Sequence, residues 1–208
     1  MPTPDPILIQ VPELIVGARL ILASPQTGQG PAMALAIAGS ISHLRPWMTW
    51  AQDPPSMESA EAVVRRMQSD FILRSELMFH LYEKNSAGEC GELLGGAGLH
   101  RIDWALRRFD LGFWLRASAL GQGYATEAVN LLTGLAFEQL QARRVEIRTD
   151  NTNLRCRAVA ERCGFEFEGL LRCEAQGVNG EPTDTRIYSR IRTSPHSSAL
   201  HGGLQIAP

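Results

Sequence analysis

The stretch from Phe113 to Ala128 restricts the fold more than any other part of the chain. Phe109, Leu111, Phe113 and Leu115 alternate with Asp110, Gly112 and Trp114, the pattern of a half-buried strand. Gly121-Gln122-Gly123 then turns the chain, and a long helical pattern runs from Tyr124 to Leu140. Its apolar stripe is Ala125, Ala128, Val129, Leu132, Leu135 and Ala136. Strand, glycine turn and amphipathic helix in that order point to a layered α/β architecture. They also make a place for an anion. Glycines let backbone approach a ligand closely, and a helix start offers unpaired N–H groups with a partial positive charge. A plain tight turn is the simpler account of two glycines alone. The segment is not a P-loop, since no Gly-Lys-Ser/Thr follows, nor a dinucleotide fingerprint, since Thr126 holds the third glycine position.

The remaining pattern agrees with a mixed sheet. Leu14 to Val16 and Arg19 to Leu22 read as one strand broken at Gly17, and Pro31 to Ile41 as a helix. His43 to Trp50 reads as an aromatic loop, closed by Pro54-Pro55. A helix opens at Ser56 and runs to about Leu73. Strands are expected at Met78–Tyr82, Leu93–Ile102 and Arg144–Thr149, a helix at Leu154–Cys163, and a closing pair at Phe165–Leu171 and Asp184–Ile191 across Asn179-Gly180. These elements make one domain at 14–193, between a proline-rich extended lead-in at 1–13 and an uncharged, disordered tail at 194–208.

Composition narrows the function. With 44% hydrophobic and 20% charged residues the chain folds around a core. A net charge of -2 gives no electrostatic footprint for nucleic acid or anionic lipid, so neither is expected as a partner. No apolar run approaches the roughly 18 residues that span a bilayer, and the N-terminus lacks a basic signal-peptide region. The four cysteines, at 90, 156, 163 and 173, form no C-x-x-C pair and have no histidine at metal-ligand spacing, so no metal is expected. Cys156 and Cys163 on one helix would lie about 10 Å apart along its axis, too far for a disulfide. Free thiols suggest a reducing cytoplasm.

A second segment, Asp150 to Phe165 with Asn153, Cys156, Val159, Ala160 and Gly164-Phe165, joins the first. Together they resemble the GNAT superfamily of acetyl-CoA-dependent N-acetyltransferases, in its RimJ/RimL-like branch. Leu120-Gly121-Gln122-Gly123-Tyr124-Ala125-Thr126-Glu127-Ala128 is similar to that branch's W-G-K-G-Y-A-T-E-A stretch, and the later segment to N-x-x-S-x-x-V-A-x-x-x-G-F. Leu44-Arg45-Pro46-Trp47-Met48-Thr49-Trp50 and Gly98 to Asp103 resemble the branch as well. The likeness spans roughly residues 14–192.

The resemblance implies a twisted mixed sheet of six or seven strands with about four helices, splayed where acetyl-CoA enters. It implies that backbone N–H groups of Gly121, Gln122, Gly123, Tyr124 and Ala125 hold the pyrophosphate. Backbone at Trp114, Leu115 and Arg116 would pair with the pantetheine arm, one N–H polarising the thioester oxygen. Asn153 would contact the arm, and Trp47 and Trp50 would wall the acceptor pocket. One or two of Arg143, Arg144, Arg148, Arg155, Arg157 and Arg162 would meet the 3′-phosphate of CoA. Cys156 stands where the branch has the serine that protonates the departing CoA thiolate. In a helix's first turn the macrodipole would favour its thiolate, which raises self-acetylation as a second route. The branch's glutamate base falls on Ala175, so Glu174 takes the role only if a bulge brings it round. His100 is the other candidate base. The implied activity is direct attack of an amine, from a protein N-terminus or a small molecule, on acetyl-CoA, and a homodimer is a further expectation. Transfer from another acyl-CoA such as succinyl-CoA, or a CoA-binding module without turnover, are the alternatives; the missing glutamate speaks for the last.

Overall fold

Eight strands form one sheet in the order β1-β2-β3-β4-β5-β6-β8-β7 in the computed structural model, which describes residues 5–192. The elements are β1 Leu14–Val16, β2 Leu20–Ala23, α1 Gly30–Ala38, α2 Ile41–Leu44, α3 Met57–Leu73, β3 Leu77–Lys84, β4 Cys90–Asp103, β5 Arg108–Leu115, α4 Tyr124–Gly134, β6 Arg144–Asp150, α5 Leu154–Arg162, β7 Glu166–Gln176 and β8 Pro182–Ile191. The tail expected at 194–208 lies outside the described residues.

The strand expected to break at Gly17 instead reverses there, which brings the sheet to eight strands. The Gly17 N–H donates to the Leu20 carbonyl at 2.8 Å, and β1 pairs antiparallel with β2. The turn is stabilised from a distant helix: the Glu127 carboxylate accepts the N–H groups of Arg19 at 2.7 Å and Leu20 at 3.1 Å. The aromatic segment begins inside the short helix α2, and α4 is regular to Gly134 before a wider turn over Leu135–Gln139.

Helices cover both faces. On one, Ala128, Val129 and Leu132 of α4 are fully buried in a core with Leu20, Leu22, Phe79, Leu99, Phe109 and Ile147. Burial of Val129 and Leu132 contributes about 2 kcal/mol each, which anchors α4 and hence the glycine turn before it. On the other face α1 and α3 pack Met33, Ile37, Ala60 and Val64 around Leu93.

One departure from regular pairing positions the site. β5 and β6, the parallel pair, are in register only over Arg108–Asp110 and Arg144–Glu146. Beyond those rungs β5 continues to Leu115 and β6 to Asp150 without meeting. The wedge between them opens toward the ends of both strands, where the chain enters α4 and α5, so two helix N-termini face one gap.

Candidate active site

Strand alternation decides which backbone groups the wedge offers. The Arg116 N–H donates to the Leu94 carbonyl of β4 at 2.7 Å. Successive residues of a strand turn their polar groups to opposite sides, so Leu115, Phe113 and Leu111 face the gap. Of Trp114, Leu115 and Arg116, Leu115 therefore carries the backbone groups that can meet a pantetheine arm; Arg116 is committed to β4.

At the mouth of the wedge lies the glycine turn. Gly121 and Gly123 have φ of 75° and 85°, left-handed values that side-chain-bearing residues rarely adopt. Gly123 is the N-cap of α4 and supplies no capping side chain, so the first-turn amides of Tyr124 and Ala125 point outward unpaired. Arg19 braces the turn from behind. Its guanidinium donates to the Gln122 carbonyl at 2.8 Å, pairs with Glu127 at 3.1 Å and lies over the Tyr124 ring at 4.8 Å. The Tyr124 hydroxyl donates to Glu83 at 3.0 Å. The side chains of the turn thus face the protein and its backbone faces the ligand.

Across the wedge, Asn153 caps α5 by accepting the Cys156 N–H at 3.1 Å, which leaves its NH₂ for a ligand. Burial pushes the Cys156 thiol up, with a hydrogen bond to Thr149 pulling less strongly the other way. Burial thus works against the thiolate that a first-turn position favours.

One cavity of about 800 Å³ gathers Trp47, Trp114, Leu115, Gly121, Gly123, Ala125, Asn153 and Cys156. Of the six candidate arginines, Arg155 and Arg162 line it. Arg144 is held between Glu146 and Glu168, and Arg148 pairs with Glu174. Trp50 stands edge-on to Trp114, with ring centres 5.8 Å apart, and so backs the wall rather than lining it. That wall fits because Gly96 lies beneath: a Cβ there would come within 2.7 Å of the Trp114 indole nitrogen.

The two candidate bases lie apart. The expected bulge exists: four residue steps of β7, Leu171 to Ala175, oppose two steps of β8, Thr185 to Thr183, and Cys173 has φ of 51°. It turns the Glu174 carboxylate onto Arg148, 2.5 Å away, and not into the cavity. His100 lies on β4 outside the cavity lining, against Gly112, whose Cβ would meet its Nε2 at 2.9 Å. Burial, and then Arg101, hold its pKa below the usual histidine value.

Two contributors were not legible beforehand. Arg19 lies more than a hundred residues from the turn it braces. His43, on α2, reaches the Leu115 carbonyl with Nε2 at 2.9 Å. A helical histidine beside an aromatic loop carries no local signal of such a contact.

These groups suit a phosphorylated, amide-bearing thioester: outward amides, two arginines, an open strand edge and a thiol line one cavity. Among the described residues no helix is long and apolar enough to cross a membrane, and no group of three or more His, Cys, Asp and Glu could hold a metal ion.

Comparison with known proteins agrees. The acetyltransferase (GNAT) domain family matches residues 19–166. YdaF of Bacillus subtilis (strain 168), provisionally named a ribosomal N-acetyltransferase, is 31% identical over 165 residues, 77% of this chain and 84% of that protein. The ribosomal-protein-serine acetyltransferase of Escherichia coli (strain K12) is 28% identical over 69% of this chain and 80% of its own. Among solved structures, the RimL ribosomal L7/L12 alpha-N-protein acetyltransferase in complex with coenzyme A shares the fold, with a TM-score of 0.78 at 23% identity over 86% of this chain and 98% of that one. Microcin C7 self-immunity acetyltransferase MccE, in complex with acetyl-CoA and AMP, gives 0.77 at 23% identity over 87% and 97%. A chain with this wedge and these outward amides therefore belongs to the GNAT family of acetyl-CoA-dependent N-acetyltransferases.

Proposed function

We propose that this enzyme acetylates the N-terminal amine of a protein by direct attack on acetyl-CoA. The observation that carries this reading is the cavity that joins the open edge of β5 to Cys156, whose thiol burial favours in its protonated form. The free amine adds to the thioester carbonyl, whose oxygen accepts from the Leu115 N–H as negative charge develops there. The intermediate then collapses, expelling the CoA thiolate, which takes the Cys156 proton. The proton lost by the nitrogen passes through water to His100, held neutral by its burial. Return of that proton to Cys156 closes the cycle. Glu174 is the weaker base in this reading because Arg148 occupies it.

The acceptor follows from charge. None of the side chains lining the cavity is acidic, and Trp47, Trp114 and Phe113 make its inner wall apolar. Such a wall suits one uncharged amine on a short chain end and disfavours a polycation. The ribosomal-protein names of two relatives support the same choice. The lining cations, Arg155 and Arg162, belong to the α5 side, so an anionic acyl group such as succinyl finds no partner at the inner wall. Four free thiols support residence in a reducing cytoplasm. The outer edge of β7, where Phe167 is exposed, is where a second copy would dock in a homodimer.

The test is release of CoA thiol from acetyl-CoA with peptides starting in Ser, Ala or Met, the same peptides blocked at the N-terminus, and a polyamine. Turnover with free but not blocked peptides is expected. Turnover confined to the polyamine, or equal with blocked peptides, rules the acceptor out, and binding without thiol release makes the chain a CoA-binding module.

A further inference from the structure

The elbow between α1 and α2 is fastened to the end of β5 at two points. Ser40, 1% exposed, accepts the Ala117 N–H on its hydroxyl at 2.9 Å and donates to the Ala36 carbonyl at 2.6 Å. Three residues on, His43 Nε2 lies 2.9 Å from the Leu115 carbonyl. A carbonyl only accepts, so Nε2 carries the hydrogen, and in the neutral ring Nδ1 is a bare acceptor. That Nδ1 is buried and has no partner among the described residues. It is closed to solvent, so it is not the atom that exchanges protons with a substrate. What His43 offers the site is the Nε2–H.

The position of its partner gives that bond meaning. Leu115 is the last residue of β5, and its polar groups face the wedge, as the Arg116 N–H on β4 requires. No strand of the sheet holds it from the wedge side. The His43 bond takes the place of the missing rung. The same α2 leads directly into Trp47 and Met48, which line the cavity together with Cys156.

We propose that His43 is a positioning residue for acyl transfer: by holding the Leu115 carbonyl at the open edge of β5 it aims the Leu115 N–H at the acyl-CoA arm and keeps the aromatic wall aligned with the thioester. This rests on the reading that the arm runs along that edge. The ring itself lines the cavity, and it acts through its bond to Leu115.

Three variants in calorimetric titration test it. His43→Leu removes the donor, His43→Gln returns an N–H near the position of Nε2, and Gly123→Val disrupts the pyrophosphate turn. The probes are acetyl-CoA and adenosine 3′,5′-bisphosphate, which lacks the pantetheine arm. His43→Leu should bind acetyl-CoA about tenfold more weakly, a loss of about 1.4 kcal/mol. His43→Gln should come within about threefold of the parent, and both should bind the bisphosphate unchanged. With an acceptor present, His43→Gln should also keep the parent's pH profile. Undiminished acetyl-CoA affinity in His43→Leu overturns the inference. So does a His43→Gln as impaired as His43→Leu, since the ring itself would then matter, or a parallel loss of bisphosphate binding, since the damage would then be general. Gly123→Val binding acetyl-CoA normally would be a separate failure, of the site itself.

Discussion

Lowering the pH from 7.5 to 5.0 should weaken the fold through His80 in particular. This residue of β3 is 1% exposed, beneath α1. Its Nδ1 lies 2.7 Å from the Gln29 amide oxygen, so Nδ1 carries the hydrogen, and its buried Nε2 has no partner among the described residues. Protonation would place a charged N–H where nothing accepts it, and burial accordingly pushes the pKa down to about 4. An unfolded chain titrates near 6.5, so between the two values it binds more protons than the native one, and stability falls as pH falls. Linkage gives a loss of about 2 kcal/mol between pH 7.5 and 5.0, approaching about 3.4 kcal/mol well below pH 4. Against a total stability of roughly 5–15 kcal/mol that is readily measured. Urea unfolding at both pH values, for the parent and His80→Leu, isolates it, because every other group titrates in both proteins. Gln29 is not orphaned by the change, since its oxygen also accepts the Gln26 N–H at 2.9 Å. The parent should lose about 2 kcal/mol more than the variant over this interval, roughly 1 M in urea midpoint. Equal losses would refute the reasoning.

Gly123→Val forces a branched residue to a φ of 85° and should abolish measurable acetyl-CoA binding while the protein still melts cooperatively; unchanged affinity in calorimetry would remove the turn from the site. Cys156→Ser should retain most activity and Cys156→Ala should lose about 10²-fold in kcat, whereas an acetyl adduct on the parent in intact mass spectra, formed and discharged at the rate of turnover, would make Cys156 a nucleophile. Because burial lowers the His100 pKa, kcat/KM should show, below the limb set by protonation of the acceptor amine, a second acidic limb beneath the usual histidine range; His100→Gln should be slower and lack that second limb, and an unchanged profile would pass the role to another group.

The glycine turn and both helix starts were legible because their chemistry is local. Gly121 and Gly123 require left-handed backbone, and Asn153 caps the helix that carries Cys156. The burial of Cys156 was not, because a first-turn position is written in the sequence and the packing around a side chain is not. The reversal at Gly17 was read as a break, since its stabilising carboxylate comes from Glu127 on another element. Likewise the bulge could be anticipated as a condition on Glu174, but that Arg148 would claim the carboxylate depends on β8 lying between β6 and β7. Arg19 and His43 act entirely through contacts between distant parts of the chain.

The parallel pairing of β5 with β6 over so few rungs has a mechanical consequence. Five strands on one side and three on the other are joined in the plane of the sheet by little more than a hinge, with the helices bridging behind. A bound acyl chain that pairs with β5 would work as a splint across that hinge. Occupancy should therefore slow amide hydrogen exchange at Leu111, Phe113 and Leu115 far more than at β1 or β2, and the enzyme should hold its two half-sheets rigid only while its donor is in place.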